Sequence, residues 1–313
     1  MTFIMHEIYG YTPMGAGRFV LNRVLRLYPA YLMILLLSGV AIMVVGESRA
    51  NAFNSAMRLP VDFTELLQNL TMVYWSILPN EVKPRLSPAT WALTVELLYY
   101  FLIAIGISRT RHRTWIWFVL GLGYAVWVRL ADYGYAYSYY SVLAGSLPFS
   151  LGALMYHYRS SLNKLFSCSY WQATAWGLLA LHYGCWIVST KIFKMGIYYH
   201  AGPYINMLVQ MFVVAVLMQS KPSEAMKNID KRVGDWSYPI YLMHWPVGML
   251  LSYIVWGQDV HGLSVQGGLL SACCLLVCIL LAQGLVVSVD QPVQRLRSRL
   301  KGVQRVTQGN VLS

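Results

Sequence analysis

Long apolar runs, separated by short polar or charged stretches, organise this chain. A bilayer core needs about 20 predominantly apolar residues per helix. Runs of that kind occur at 27–46, 90–107, 114–130, 138–157, 170–190, 203–219, 236–256 and 267–289, so the pattern predicts eight membrane-spanning helices. Aromatic residues crowd their ends, among them Tyr28, Tyr31, Trp91, Trp115, Trp117, Tyr139, Tyr140, Trp171, Trp236 and Trp256, as expected for rings at headgroup level. The stretch 61–78 is apolar in part but carries Asp62, Glu65, Gln68 and Asn69. It reads as an interfacial or re-entrant helix rather than a ninth span.

Composition strengthens that reading. Of 313 residues, 57% are hydrophobic and only 12% charged, with a mean hydropathy of +0.49. A soluble domain carries about twice that charge. Soluble, disordered and fibrous classes are therefore excluded, leaving an all-α polytopic helix bundle. Lys and Arg number 24 against 12 Asp and Glu, and the cations fall unevenly. With the N-terminus inside, eight spans also place the C-terminus inside. Inside segments then hold 17 Lys or Arg and outside segments 7. Four of those seven lie in the one long loop, 47–89, where the positive-inside bias is weakest. This excess reads as juxtamembrane charge beside anionic lipid, not as a nucleic-acid surface. None of the five cysteines forms a CxxC pair, and Cys273, Cys274 and Cys278 lie in an apolar run, so they read as small packing residues. No cleavable signal peptide is expected.

Ionisable groups inside spans are costly in lipid and point to function or specific pairing. Glu96 is the only carboxylate well inside a span, and His244 sits mid-span just before Pro246. Each reads either as helix-to-helix glue or as working chemistry. His157 and His182 fall near span ends and read as interfacial. Arg23 and Arg26 share one helix face, three residues apart, beside the inner boundary. They are positive-inside anchors or a clamp for phosphates. No HxxxxD, HExxH, GxSxG or P-loop occurs, and no side-chain cluster has metal-ligand spacing, so no metal site is expected. Internal repeats of the transporter kind are not evident.

Several segments, in order, resemble the integral-membrane acyltransferase family 3, whose bacterial members O-acetylate surface polysaccharides, lipopolysaccharide and peptidoglycan. RFVLNRVLRLYPAY carries an RxxR, Arg23 and Arg26, followed by Tyr28 and Pro29. ATWALTVELLYYF is similar to the family's W-x-L-x-x-E-x-x-(F/Y)-Y, placing Trp91, Leu93, Glu96 and Tyr100. LPFSLGALMY matches through Pro148, Phe149 and Gly152. GDWSYPIYLMHWPV is similar to G-x-x-S-Y-x-I-Y-L-x-H-x-P, placing Gly234, Ser237, Tyr238, Tyr241, His244 and Pro246. VSVDQPVQRLR resembles the closing (E/D)-x-P, here Asp290 and Pro292. The matches extend over about residues 15–297, the expected acyltransferase domain being 1–297 with a basic tail at 298–313. Family members begin with a helix bearing an arginine and a histidine, the expected base. This chain starts where the second helix would end, about 60 residues later at ~20 per span, and His6 is not in the matching segment.

The resemblance implies transfer of an acyl group, acetyl by family habit, from a cytoplasmic acyl-CoA to a hydroxyl of a cell-surface or exported glycan. It implies a bacterial inner-membrane location and no permanently bound cofactor. Arg23 and Arg26 would hold donor phosphates. Glu96, His244, Ser237 and Tyr238 would form the catalytic set, with Trp91 and Tyr241 toward the acceptor. Trp91 and Glu96 are expected in the outer half, joined to the arginines by a polar path through Ser237, Tyr238, Tyr241 and His244. Two other readings stay open: a non-catalytic relative lacking the first helices, and a glycan or lipid transporter.

Overall fold

A computed structural model describes residues 1–74, 86–134, 136–166, 170–188, 196–219, 222–262 and 264–297. Among these residues the chain is mainly helical, with no strand. The basic tail 298–313 and part of the 61–78 stretch lie outside the described residues. The helices are α1 (Thr2–Ile4), α2 (Pro13–Val45), α3 (Glu47–Phe53), α4 (Phe63–Thr71), α5 (Trp91–Ala104), α6 (Arg111–Leu130), α7 (Ser146–His157), α8 (Arg159–Leu165), α9 (Tyr170–Ile187), α10 (Gly196–Leu217), α11 (Glu224–Trp256) and α12 (Val265–Leu285). A π turn, Val286–Asp290, extends α12 toward Arg297. Two helices, Pro13–Val45 and Val265–Arg297, are long and apolar enough by themselves to cross a membrane.

Two helices begin well before the apolar runs that announce them. α2 starts at Pro13 rather than at Leu27, because Thr12 accepts a hydrogen bond from the Gly15 amide at 3.0 Å and Pro13 occupies the first turn. α11 starts at Glu224, capped by Ser223, twelve residues before the predicted span. In both, the polar extension is helix carried beyond the apolar segment. The predicted span at 138–157 is instead broken into a π turn (Ala136–Tyr140), a 3-10 turn (Val142–Gly145) and α7. The break is fixed by close contact. A side chain on Gly145 would sit 2.6 Å from Val95 and 2.7 Å from Tyr99, and the Tyr99 hydroxyl donates to the Val142 carbonyl at 2.8 Å.

The core is built on α2, α5 and α11. α5 runs antiparallel to α2: Ser38 donates to the Leu86 carbonyl at one end, and the Phe19 ring meets Tyr100 at the other. The end of α4 is tied to both. Tyr28 and Tyr31 donate to the carbonyls of Thr71 and Asn69, and Thr94 donates to that of Met72 at 2.6 Å. The C-terminal end of the stretch is therefore pinned to the bundle with Asn69 buried, while most of α4, capped by Asp62, stays exposed. At the start of the chain, Thr2 and Tyr11 bond the Ser108 hydroxyl, and His6 and His157 its carbonyl. This ties the N-terminal segment to the α5–α6 turn.

Prolines inside helices leave a carbonyl one turn earlier without its amide donor. Pro246 does this to Leu242, and the buried Ser87 hydroxyl supplies the missing bond at 3.0 Å, as the lipid environment requires. Ser87→Ala is expected to destabilise the protein by about 0.6–1.5 kcal/mol. A lower thermal midpoint of the detergent-purified variant reads this out, and an unchanged midpoint removes the role.

Candidate functional site

Two prolines converge on one place. Pro29 in α2 and Pro239 in α11 cannot donate to the carbonyls of Leu25 and Asp235. Leu25 and Asp235 both line a cavity of about 380 Å³, together with Arg26, Tyr238, Asp290 and Arg297. The π turn Val286–Asp290, which precedes Pro292, widens the helix and leads the chain back to α2. There Arg297 donates through Nε and Nη2 to Asn22 Oδ1, at 3.2 and 2.9 Å. The cavity thus gathers two arginines and two aspartates. Charge-assisted bonds of this kind suit a phosphate-bearing ligand.

The two arginines of the RxxR motif part company. Arg26 lines the cavity, whereas Arg23 is only 4% exposed. The Arg23 guanidinium carbon stands 5.3 Å from the Phe19 ring centroid and 5.7 Å from that of Tyr100. Its Nε and Nη1 have no hydrogen-bond partner among the described residues. The π faces offset part of the cost of burying the charge. Tyr100 in turn donates to Glu96 Oε2 at 2.8 Å. Arg23, Tyr100 and Glu96 therefore form one connected set, and Glu96 lies one helical turn from the arginine level. That is nearer the arginines than the expected outer half.

Glu96 and Trp91 line a second cavity, about 640 Å³, enclosed by α5, α6, α7 and α10. Its walls are mainly apolar. Trp91 packs edge-on to Tyr140 at 4.8 Å and tilted against Tyr139 at 5.0 Å, giving an aromatic flank at the mouth of α5.

On α11, Tyr238 lines the arginine cavity and donates to the Leu27 carbonyl at 2.9 Å, while Tyr241 donates to that of Ala89 at 3.1 Å. These two tyrosines bind α11 to α2 and to the start of α5. Ser237 is exposed and donates to Gly234 of its own helix at 2.8 Å. His244 Nδ1 meets the Tyr241 carbonyl at 2.7 Å, again within the helix. Neither Ser237 nor His244 lines one of the two cavities. The structure brings Arg26 and Tyr238 together, and Trp91 with Glu96, but among the described residues it assembles no continuous path from Ser237 and His244 to Glu96.

Arg297, Asn22 and Asp235 carry no site signal in the sequence. Arg297 reads in sequence as one more inside cation, at the end of the VSVDQPVQRLR segment, and only the (D)-x-P there hints that this turn is placed.

A family model described as an acyltransferase domain matches residues 2–283. A protein of Komagataeibacter xylinus that carries the name membrane-bound transacylase BcsY is 26% identical over 282 residues, covering 82% of this chain and 65% of the relative. The chain thus spans slightly less than two-thirds of that relative's length. No solved structure matches the chain.

Proposed function

The chain belongs to the acyltransferase 3 family, and on that premise we propose that it moves an acyl group, acetyl by preference, from cytoplasmic acyl-CoA to a hydroxyl of a cell-surface or exported glycan. The observation that carries this reading is the pair of cavities on one helix core. One is polar and holds Arg26 and Arg297; the other is mainly apolar and holds Glu96 beside Trp91. The protein sits as a multi-pass bundle in the bacterial inner membrane, with the arginine cavity on the cytoplasmic side, where the cation excess and the donor both lie.

In this reading Arg26 and Arg297 bind the donor's phosphates. Asp235 and Asp290 accept hydrogen bonds from its N–H groups. Tyr238 bounds the cavity toward α2. Glu96 accepts the proton of the acceptor hydroxyl as that oxygen attacks the thioester carbonyl. A C–O bond forms, the C–S bond breaks, and the proton held by Glu96 passes to the departing thiolate, which restores the carboxylate. Tyr100 holds the Glu96 carboxylate in place, with Arg23 behind it. Trp91 offers the sugar an aromatic face, and Tyr241 fixes the start of α5. Ser237 and His244 serve α11 itself.

The experiment is transfer of radiolabel from acetyl-CoA to polysaccharide in inside-out membrane vesicles containing the protein. Label in the glycan, dependent on the protein, is the expected result. Export of unlabelled glycan without transfer means a transporter. Neither activity means a non-catalytic relative.

A further inference from the structure

The turn from α5 into α6 carries a basic run, Arg109, Thr110, Arg111, His112 and Arg113, every residue of it exposed. No carboxylate pairs with its three arginines among the described residues. Arg109 stands over the Tyr11 ring at 5.9 Å and Arg111 over that of Tyr158 at 4.8 Å. Arg113 donates from Nη1 to the Gly106 carbonyl at 3.4 Å. Glu7, on the neighbouring N-terminal segment, is taken by Arg159 at 2.8 Å. The first turn of α6 holds no acidic residue, so the positive end of its dipole adds to this charge instead of balancing it.

An apolar groove of about 360 Å³ runs from these cations along α5 and α6. Ile105, Ile116 and Leu120, on its walls, are 63%, 49% and 67% exposed, so in a membrane protein the groove opens to lipid. Arg113 and Gly106 close it on the side of the turn. Gly106 joins the two features. Its φ of +102° suits glycine alone, and a Cβ there would lie 3.5 Å from Arg113 Nη1 and 3.6 Å from Arg109 Cβ. Both arginines therefore flank a bare glycine at the head of the groove.

Cations by themselves are what the positive-inside bias leaves at many turns, and an apolar groove by itself is filled by any lipid. Their coincidence is more selective. A free phosphate leaves the groove unfilled, and a zwitterionic lipid leaves the charge unbalanced. We propose that this turn binds one anionic phospholipid of the cytoplasmic leaflet, its phosphate between Arg109 and Arg113 and one acyl chain in the groove. The groove shares no lining residue with the Glu96 cavity or the Arg26 cavity, so this site stands apart from the transfer reading.

The test is photolabelling of the purified full chain in vesicles of phosphatidylglycerol or of phosphatidylcholine, each with a diazirine in the same acyl chain. Labelling of residues 102–120 is expected to be about 20-fold stronger with phosphatidylglycerol, two arginines giving about fivefold each. Arg109→Gln and Arg113→Gln should each cut the ratio about fivefold, and together bring it close to one. Arg232→Gln removes an exposed cation of α11 and should leave it unchanged. The wild-type ratio is read without any variant, so a folding defect cannot decide the outcome. Equal labelling by the two lipids overturns the proposal. A ratio that Arg232→Gln lowers as much as Arg113→Gln also overturns it, since the preference then belongs to the whole basic face. Loss of the preference in excess inorganic phosphate, at matched ionic strength, overturns the lipid part, because the arginines then take a free anion. A preference confined to 102–120 and carried by Arg109 and Arg113 upholds the site, whatever the transfer assay returns.

Discussion

Replacing Glu96 by glutamine is expected to lower kcat for acyl transfer by a factor of about 10²–10⁴, the usual contribution of a positioned general base, with little change in stability. The substitution is nearly isosteric, and the amide oxygen still accepts from Tyr100, whose hydroxyl stands 2.8 Å from the carboxylate. What disappears is the ability to take a proton from the acceptor hydroxyl. A group serving only as glue between helices shows the opposite pattern: a lower thermal midpoint with kcat per folded molecule kept. Tyr100→Phe separates orientation from proton transfer. It leaves the carboxylate chemically able but loosely held, so a smaller loss of kcat is expected. Assays of purified, monodisperse protein with acetyl-CoA and glycan in excess check all three. Unchanged kcat in Glu96→Gln removes Glu96 from the chemistry.

The helices were legible because their apolar runs match the thickness of a bilayer core, a signal that lies in local composition. Their beginnings were not. Arg18, Arg23 and Arg26 made 13–26 look like a cytoplasmic approach, although Thr12 followed by Pro13 is a helix-start signature open to reading. The break near Gly145 could not be read at all, since it depends on Val95 and Tyr99, which lie in a different helix. The same division holds at the site. Glu96 and Tyr100 are four residues apart on one helix, so their contact follows from spacing. Trp91 and Glu96, placed by resemblance, share one cavity. The bond between Arg297 and Asn22 joins residues 275 positions apart, and no periodicity within either segment announces it. Ser237 and His244 are prominent as motif letters, yet their hydrogen bonds turn back onto α11.

Arg26→Ala is expected to raise KM for acyl-CoA by about 10- to 100-fold, the loss of one charge-assisted bond of about 1.5–3 kcal/mol to a phosphate, with kcat at saturation largely kept. Arg297→Ala is expected to act similarly. Asn22→Ala should act more weakly, because Asn22 only aims the Arg297 guanidinium. A basic residue near a membrane surface can also matter by anchoring a helix, so KM alone does not decide the role. The donor itself supplies the control. Acetyl-pantetheine carries the same thioester as acetyl-CoA but lacks the nucleotide phosphates. If Arg26 binds those phosphates, the wild-type protein prefers the CoA thioester, and Arg26→Ala lowers activity with CoA toward the level with pantetheine, Arg297 keeping part of the preference, while leaving the latter unchanged. An anchoring role predicts that both donors fall together, with the preference intact. Raised salt should weaken the wild-type preference only in part, because Arg26 and Arg297 meet in a cavity between helices rather than on an open surface. Equal losses for the two donors would therefore assign Arg26 to the membrane boundary and leave the donor's site elsewhere.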